Sequence, residues 1–180
     1  MGLIRLNNQS LTAVTSAGLP SGTVLQVQTA TKTNAQNTAS TTFVDVDDLS
    51  ISLTPKSTSS KIILMCDVTS SGNGGLNSGD FKFVRDSTDI GVGASSGSKL
   101  VSSFTSFMNS SSQDTDSSAG FAVDTPNTTS AVTYKLQMRC IKQDNSGSSQ
   151  ELFINRSRGE SDNDTFSRTA SNIIAMEIAG

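Results

Sequence analysis

Three stretches of this chain carry an apolar side chain at every second position: Leu49, Ile51 and Leu53; Ile62, Leu64, Cys66 and Val68; and Val132, Tyr134, Leu136, Met138 and Cys140. Side chains on a strand alternate between the two faces of a sheet, so period two marks strands with one buried face and is not a helical spacing. Further short segments of strand character bring the set to 23–31, 42–54, 61–69, 81–86 with 90–93, 100–109, 118–124, 131–142, 151–156 and 171–178. The runs between them are turn chemistry, as in Ser71 to Asn77 with Gly72, Asn73, Gly74 and Gly75. Helix signals are almost absent, and there is no repeat of solenoid or propeller length and no heptad seam. The pattern predicts an all-β fold: a β-sandwich, jelly-roll-like, preceded by a short extended N-terminal arm.

The composition suits such a fold. Only 34% of the 180 residues are apolar, there is no Trp and one Tyr, and Ser and Thr make up nearly three residues in ten. A sheet solvated on one face needs apolar residues only at alternate positions, and Thr fits the exposed pleat. The net charge of −3 is small and the apolar residues are clustered, which argues against disorder for most of the chain. A core shared between subunits would help so lean a domain.

Residues 1–21 read as an N-terminal attachment arm and 22–180 as the β-sandwich domain. The arm has scattered apolar residues, then a small-residue hinge at Ala17-Gly18-Leu19-Pro20-Ser21-Gly22. Its candidate assembly contacts are Leu3, Ile4, Leu6, Leu11 and Val14. No apolar stretch reaches the length of a signal peptide or a membrane span, so the expectation is a soluble product of a cytoplasm with no membrane partner. In a reducing compartment Cys66 and Cys140, both inside apolar runs, read as free buried thiols. At the other end, Ile174, Met176 and Ile178 are expected to place the last strand in the core.

The chain contains no histidine. That removes the usual general base, the common serine and cysteine triads, and the commonest transition-metal ligand together. A carboxylate-based polysaccharide hydrolase remains as a remote alternative, with Asp45, Asp47, Asp48, Asp67, Asp80, Asp86, Glu160, Asp162 and Asp164 as its candidate acids and bases. Most of these sit beside turns or on the polar phase of strands, so the expectation is no enzyme and no cofactor. Two acidic groups, Asp45/Asp47/Asp48 and Glu160/Asp162/Asp164, offer hard oxygen ligands for calcium, set against simple solvation of a sheet edge. Gly91, Gly93 and Gly97 with Lys99 miss the phosphate-loop pattern and read as a turn. Five Asn-x-Ser/Thr sequons, at Asn8, Asn109, Asn127, Asn155 and Asn163, arise readily in a Ser/Thr-rich chain. Thirteen basic against sixteen acidic residues leave no footprint for nucleic acid. Lys135 and Arg139 near Tyr134, and Arg156, Arg158 and Arg168 near Glu160, Asp162 and Asp164, read as ion-pair partners rather than a basic patch.

A series of segments then carries a family likeness: Leu19-Pro20-Ser21-Gly22-Thr23-Val24-Leu25-Gln26-Val27; Leu53-Thr54-Pro55-Lys56-Ser57-Thr58-Ser59-Ser60-Lys61-Ile62; Asp124-Thr125-Pro126-Asn127 running on to Tyr134; Phe153-Ile154-Asn155-Arg156; and Met176-Glu177-Ile178-Ala179-Gly180. In this order they resemble small virion structural proteins, and terminal domains of fibre proteins, of tailed phages of aquatic bacteria such as cyanophages. The resemblance covers most of the chain. It implies a virion-surface location, a homotrimer, and the major capsid protein as partner of the arm in a capsid decoration or head-fibre role. The alternative it leaves is a tail-fibre adhesin whose loops 71–80 and 110–120 meet a host surface receptor.

Overall fold

A computed structural model describes residues 18–72, 77–108, 113–141 and 150–180. The arm contacts Leu3, Ile4, Leu6, Leu11 and Val14 lie outside the described residues, as do parts of the loops at 71–80 and 110–120. Eleven strands follow in chain order: β1 (Val24–Lys32), β2 (Gln36–Thr38), β3 (Val44–Leu53), β4 (Lys61–Gly72), β5 (Asn77–Arg85), β6 (Thr88–Ile90), β7 (Phe104–Met108), β8 (Asp116–Asp124), β9 (Val132–Cys140), β10 (Leu152–Ile154) and β11 (Ser171–Ile178). The protein is an all-β sandwich.

All pairings are antiparallel. In the first sheet β11 lies between β1 and β4, and β8 takes the opposite edge of β4, giving β1-β11-β4-β8. Beyond the end of β11, the far end of β4 pairs with β10, and β10 with β2. The second sheet runs β3-β9-β5, with β6 and β7 sharing the free edge of β5. From β3 to β5 and again from β7 to β11, successive long strands fall in opposite sheets.

Between the sheets the alternating positions meet. Ile62, Leu64, Cys66 and Val68 of β4 and Ile173 and Ala175 of β11 join Leu49, Ile51 and Leu53 of β3, Phe81 and Phe83 of β5, and Val132, Tyr134, Leu136, Met138 and Cys140 of β9 in one core. Phe104 packs there too, stacked on Phe81 with ring centroids 5.0 Å apart. A Cβ on Gly120 would collide with the Phe104 ring and fall 2.9 Å from the Cys66 sulfur, so β8 must be bare at this point to let the ring in.

The expected strands are present except at 90–93, where only Ile90 ends a strand, β6; one strand is added and one is longer than expected. The three-residue β2, Gln36-Asn37-Thr38, has no apolar pattern to announce it. The predicted 71–77 turn starts later, because β4 runs on through Gly72 to pair with β10. The last strand corrects the expectation for Ile174, Met176 and Ile178. The inward phase of β11 is Ser171, Ile173, Ala175 and Glu177, and Ile174, Met176 and Ile178 point the other way. Both phases of β11 are apolar at their centre, so alternation alone does not say which is the core.

Several polar groups inside the fold are matched, although the Ser60, Ser70 and Ser106 hydroxyls are buried without a hydrogen-bond partner among the described residues. The buried Glu177 carboxylate accepts hydrogen bonds from Gln26 Nε2 at 2.5 Å and from the Lys56 backbone at 2.6 Å, holding the turn that follows Pro55. The expected hinge ends on Gly22, whose φ of +88° suits glycine and whose N–H bonds the Ala179 carbonyl at 2.8 Å. Gly22 therefore lies beside the end of β11.

Candidate functional site

The two outer faces of the sandwich differ in kind. On the β3-β9-β5 sheet the outward phase mixes hydroxyl residues with charged side chains that engage one another. Lys135 and Gln137 on β9 donate to the two oxygens of Asp45 on β3 at 2.8 and 2.7 Å. Arg139 pairs with Asp80 across β9 and β5, and Lys82 with Asp89 at 2.7 Å. Lys82 and Arg139 also stand over the Phe43 ring, at 4.5 and 5.5 Å from its centre. Burial pulls the Asp45 carboxyl upward, but the Lys135 and Gln137 hydrogen bonds and the Lys135 charge outweigh it and hold its pKa below the ordinary value. This is a solvated surface with both signs interleaved.

The β1-β11-β4-β8 sheet turns an apolar face outward. Strand register sets two full rows across it: Val27, Met176, Ile63 and Val123, then Thr29, Ile174, Met65 and Phe121. A shorter row before them holds Val24, Ile178 and Lys61, and the row after them holds Thr31, Asn172, Asp67 and Ala119. Among the described residues five large apolar side chains are exposed. Four of them belong to this face: Val24 (48%), Val27 (46%), Phe121 (62%) and Val123 (48%). The central rows contain no charge. Lys61 stands at one end, and at the other Asp67 accepts a 2.7 Å hydrogen bond from Ser117.

The sequence holds a signal for this face. Ile62-Ile63-Leu64-Met65 and Ile173-Ile174-Ala175-Met176 are apolar on both phases, which is how a strand covered on both sides reads. Alternation on β4 points only to its inward phase, and the outward phase shows its role once the neighbouring strands are in place.

The acidic groups weighed for calcium do not converge. Asp45 is occupied by Lys135 and Gln137, and the chain bulges at Asp48, whose φ is +64°. Glu160 is held by Arg156 and by Arg168, the latter at 2.9 Å. Among the described residues no three His, Cys, Asp or Glu side chains gather as a metal site. Arg156 and Arg168 thus find the carboxylate partner expected of them, and Arg156 also covers the Phe153 ring at 4.1 Å. No helix of the described residues is long and apolar enough to cross a membrane.

In comparison with known proteins, no family model matches this chain, and no curated protein matches it.

Cys66 and Cys140 are both buried thiols. Burial pushes the Cys66 thiol up to about 12, against a smaller downward pull from a Gly120 backbone hydrogen bond. Unfolding returns it to its ordinary value of 9.0, so the unfolded chain ionises first. The stability this group contributes is whole below pH 9 and is lost as pH rises toward 12. The melting temperature is therefore expected to fall above pH 9, and to fall less in Cys66→Ala. A thiol reagent at pH 8 should leave the folded protein unlabelled and label it once urea unfolds it.

Proposed function

We propose that this chain is a non-enzymatic structural protein of a tailed-phage virion: a surface-exposed capsid decoration or head-fibre subunit, homotrimeric, anchored through residues 1–21 to the major capsid protein. The observation that carries this reading is the contrast between the two faces. Most charged side chains of the β3-β9-β5 sheet are committed to ion pairs, while the β1-β11-β4-β8 sheet leaves a broad apolar face. A protein built this way uses its surface to assemble.

The strand order supports placing the sandwich among jelly rolls. With β2, β6 and β10 set aside as short additions, eight strands remain, and β1-β11-β4-β8 against β3-β9-β5-β7 interleaves them as two Greek keys do. Double-sheet jelly rolls serve in viral capsid and lectin domains, so the fold suits the role without choosing it. The resemblance of the segments from Leu19 to Gly180 supplies the phage context.

Purified protein is expected to bind empty capsids of its phage, and the chain lacking residues 1–18 to lose that binding while keeping its sheet signal by circular dichroism. Copy number on the virion separates the roles. A shell-coating number fits decoration; a few copies confined to the tail would replace it with the adhesin. Binding of the truncated domain to host cells would do the same.

A further inference from the structure

We propose that the outer face of the β1-β11-β4-β8 sheet is the surface through which copies of this chain bind one another, each face turned toward a shared axis that runs along the strands. The inference rests on the structural role proposed for the chain and names the contact that a homotrimer would use.

The first argument is the pattern along the strands. β4 and β11 carry apolar side chains on both phases through their middle turns, the pattern of strands that are buried on two sides. The core covers one side. Ile63, Met65, Ile174 and Met176 on the other side are already half-buried by their neighbours, so apolar side chains from adjoining copies complete their burial.

Charge narrows the occupant. The two central rows are neutral, which rules out recognition by a strongly charged partner. A lipid surface asks for basic residues around an apolar face, and here the rim offers Lys61 at one end and Asp67 at the other. The partner that matches a neutral face of valine, isoleucine, methionine and phenylalanine is the same face on another copy.

Area sets the scale. Four strands about 4.8 Å apart, each about eight residues at about 3.3 Å per residue, make a face of about 500 Å². That is about three fifths of the half-interface of about 800 Å² typical of stable complexes, so the face forms the centre of the contact and not the whole of it. The most exposed side chains lie on the two flanks: Phe121 and Val123 on β8, Val24 and Val27 on β1. A ring closed by rotation brings unlike flanks together, so each copy gives its β8 flank to one neighbour and its β1 flank to the other.

The test is the mass of the full chain in solution by light scattering, for the wild type and for Phe121→Lys/Val123→Lys. The substituted side chains are exposed in one copy, so the folded domain should keep its circular dichroism spectrum. The expected result is a wild type of three chains and a variant whose mass falls threefold. A monomeric wild type overturns both the inference and the self-association in the proposed function. A wild-type multimer whose mass the variant keeps overturns the face alone. Should the variant misfold, Val27→Cys/Val123→Cys with a short bismaleimide decides: linkage into a chain trimer supports the contact, and its failure overturns it. A chain that is monomeric whole and associates only once residues 1–17 are removed would assign the face to its own arm, and the inference falls.

Discussion

Asn155→Ala is expected to destabilise the domain by about 4 kcal/mol, a large loss for the truncation of one polar side chain. Asn155 is fully buried at the end of β10 and sits at φ +60°, where a side chain with a Cβ is strained and Asn is tolerated best. Its Nδ2 donates to the carbonyls of Lys32 at 2.8 Å and Asn34 at 3.3 Å, at the end of β1. Its Oδ1 accepts from Ser171 Oγ at 2.6 Å, and Ser171 in turn accepts from the Thr69 backbone at 3.1 Å. One amide thus ties β1, β4, β10 and β11 together. Alanine leaves a buried carbonyl and hydroxyl without their partner, at about 1–3 kcal/mol each, and adds about 1 kcal/mol of backbone strain. Asn155→Gly avoids the strain but loses the same hydrogen bonds, so it should be milder than Asn155→Ala by about 1 kcal/mol. Urea unfolding of the pair checks both values; equal losses would mean that the backbone plays no part.

The second large effect is expected at Asp124, the last residue of β8. One of its oxygens receives Arg85 Nη1 at 2.6 Å and Tyr134 Oη at 2.7 Å, so a residue of the first sheet holds two from the second. The carboxylate is 9% exposed and the arginine 20%. Asp124→Ala strands a mostly buried guanidinium and a buried phenol, and breaking such a pair costs about 3 kcal/mol or more. Tyr134→Phe removes only the phenol and should cost about 1 kcal/mol. Because both act through the same oxygen, the double variant should lose less than the sum of the two. Burial, then the hydrogen bond to Asp124, drives the Tyr134 phenol well above its ordinary range, so Tyr134→Phe should also soften the alkaline loss of stability. Measured additivity would separate Tyr134 from the Arg85–Asp124 pair.

Much of the sandwich is legible in the sequence because its signal is local. Ile62, Leu64, Cys66 and Val68, or Val132 to Cys140, need only be counted to show a strand and its buried side, and Pro55 and Pro126 mark where strands stop. Asn155 is readable as a residue that closes a strand, but its four-way role depends on which strands lie beside β10, and no spacing reports that. Asp124 likewise meets Arg85 and Tyr134 only after the two sheets face each other. The phase of β11 misleads for a different reason. Ile174, Met176 and Ile178 make a longer apolar run than Ile173 and Ala175, which Ser171 and Glu177 flank, and the longer run favours the wrong side when both phases are apolar. The outer face is thus present in the sequence as an excess of apolar residues and becomes a surface only when register aligns Val27, Met176, Ile63 and Val123.

The passage of successive strands to opposite sheets also bears on how the chain finds its structure. Apart from β5 with β6, and β5 with β7, the long strands do not pair with the strand next in sequence, and β1 waits for β11 as its neighbour. Few contacts are local, so loop closure must be met before pairing rewards it, which places folding of this topology in the millisecond-to-second range. During synthesis, β1 and β4 emerge while the strand that sits between them is still unmade. Until β11 arrives both leave a backbone edge open and an apolar side bare, the condition in which a nascent chain is most prone to pair with its neighbours.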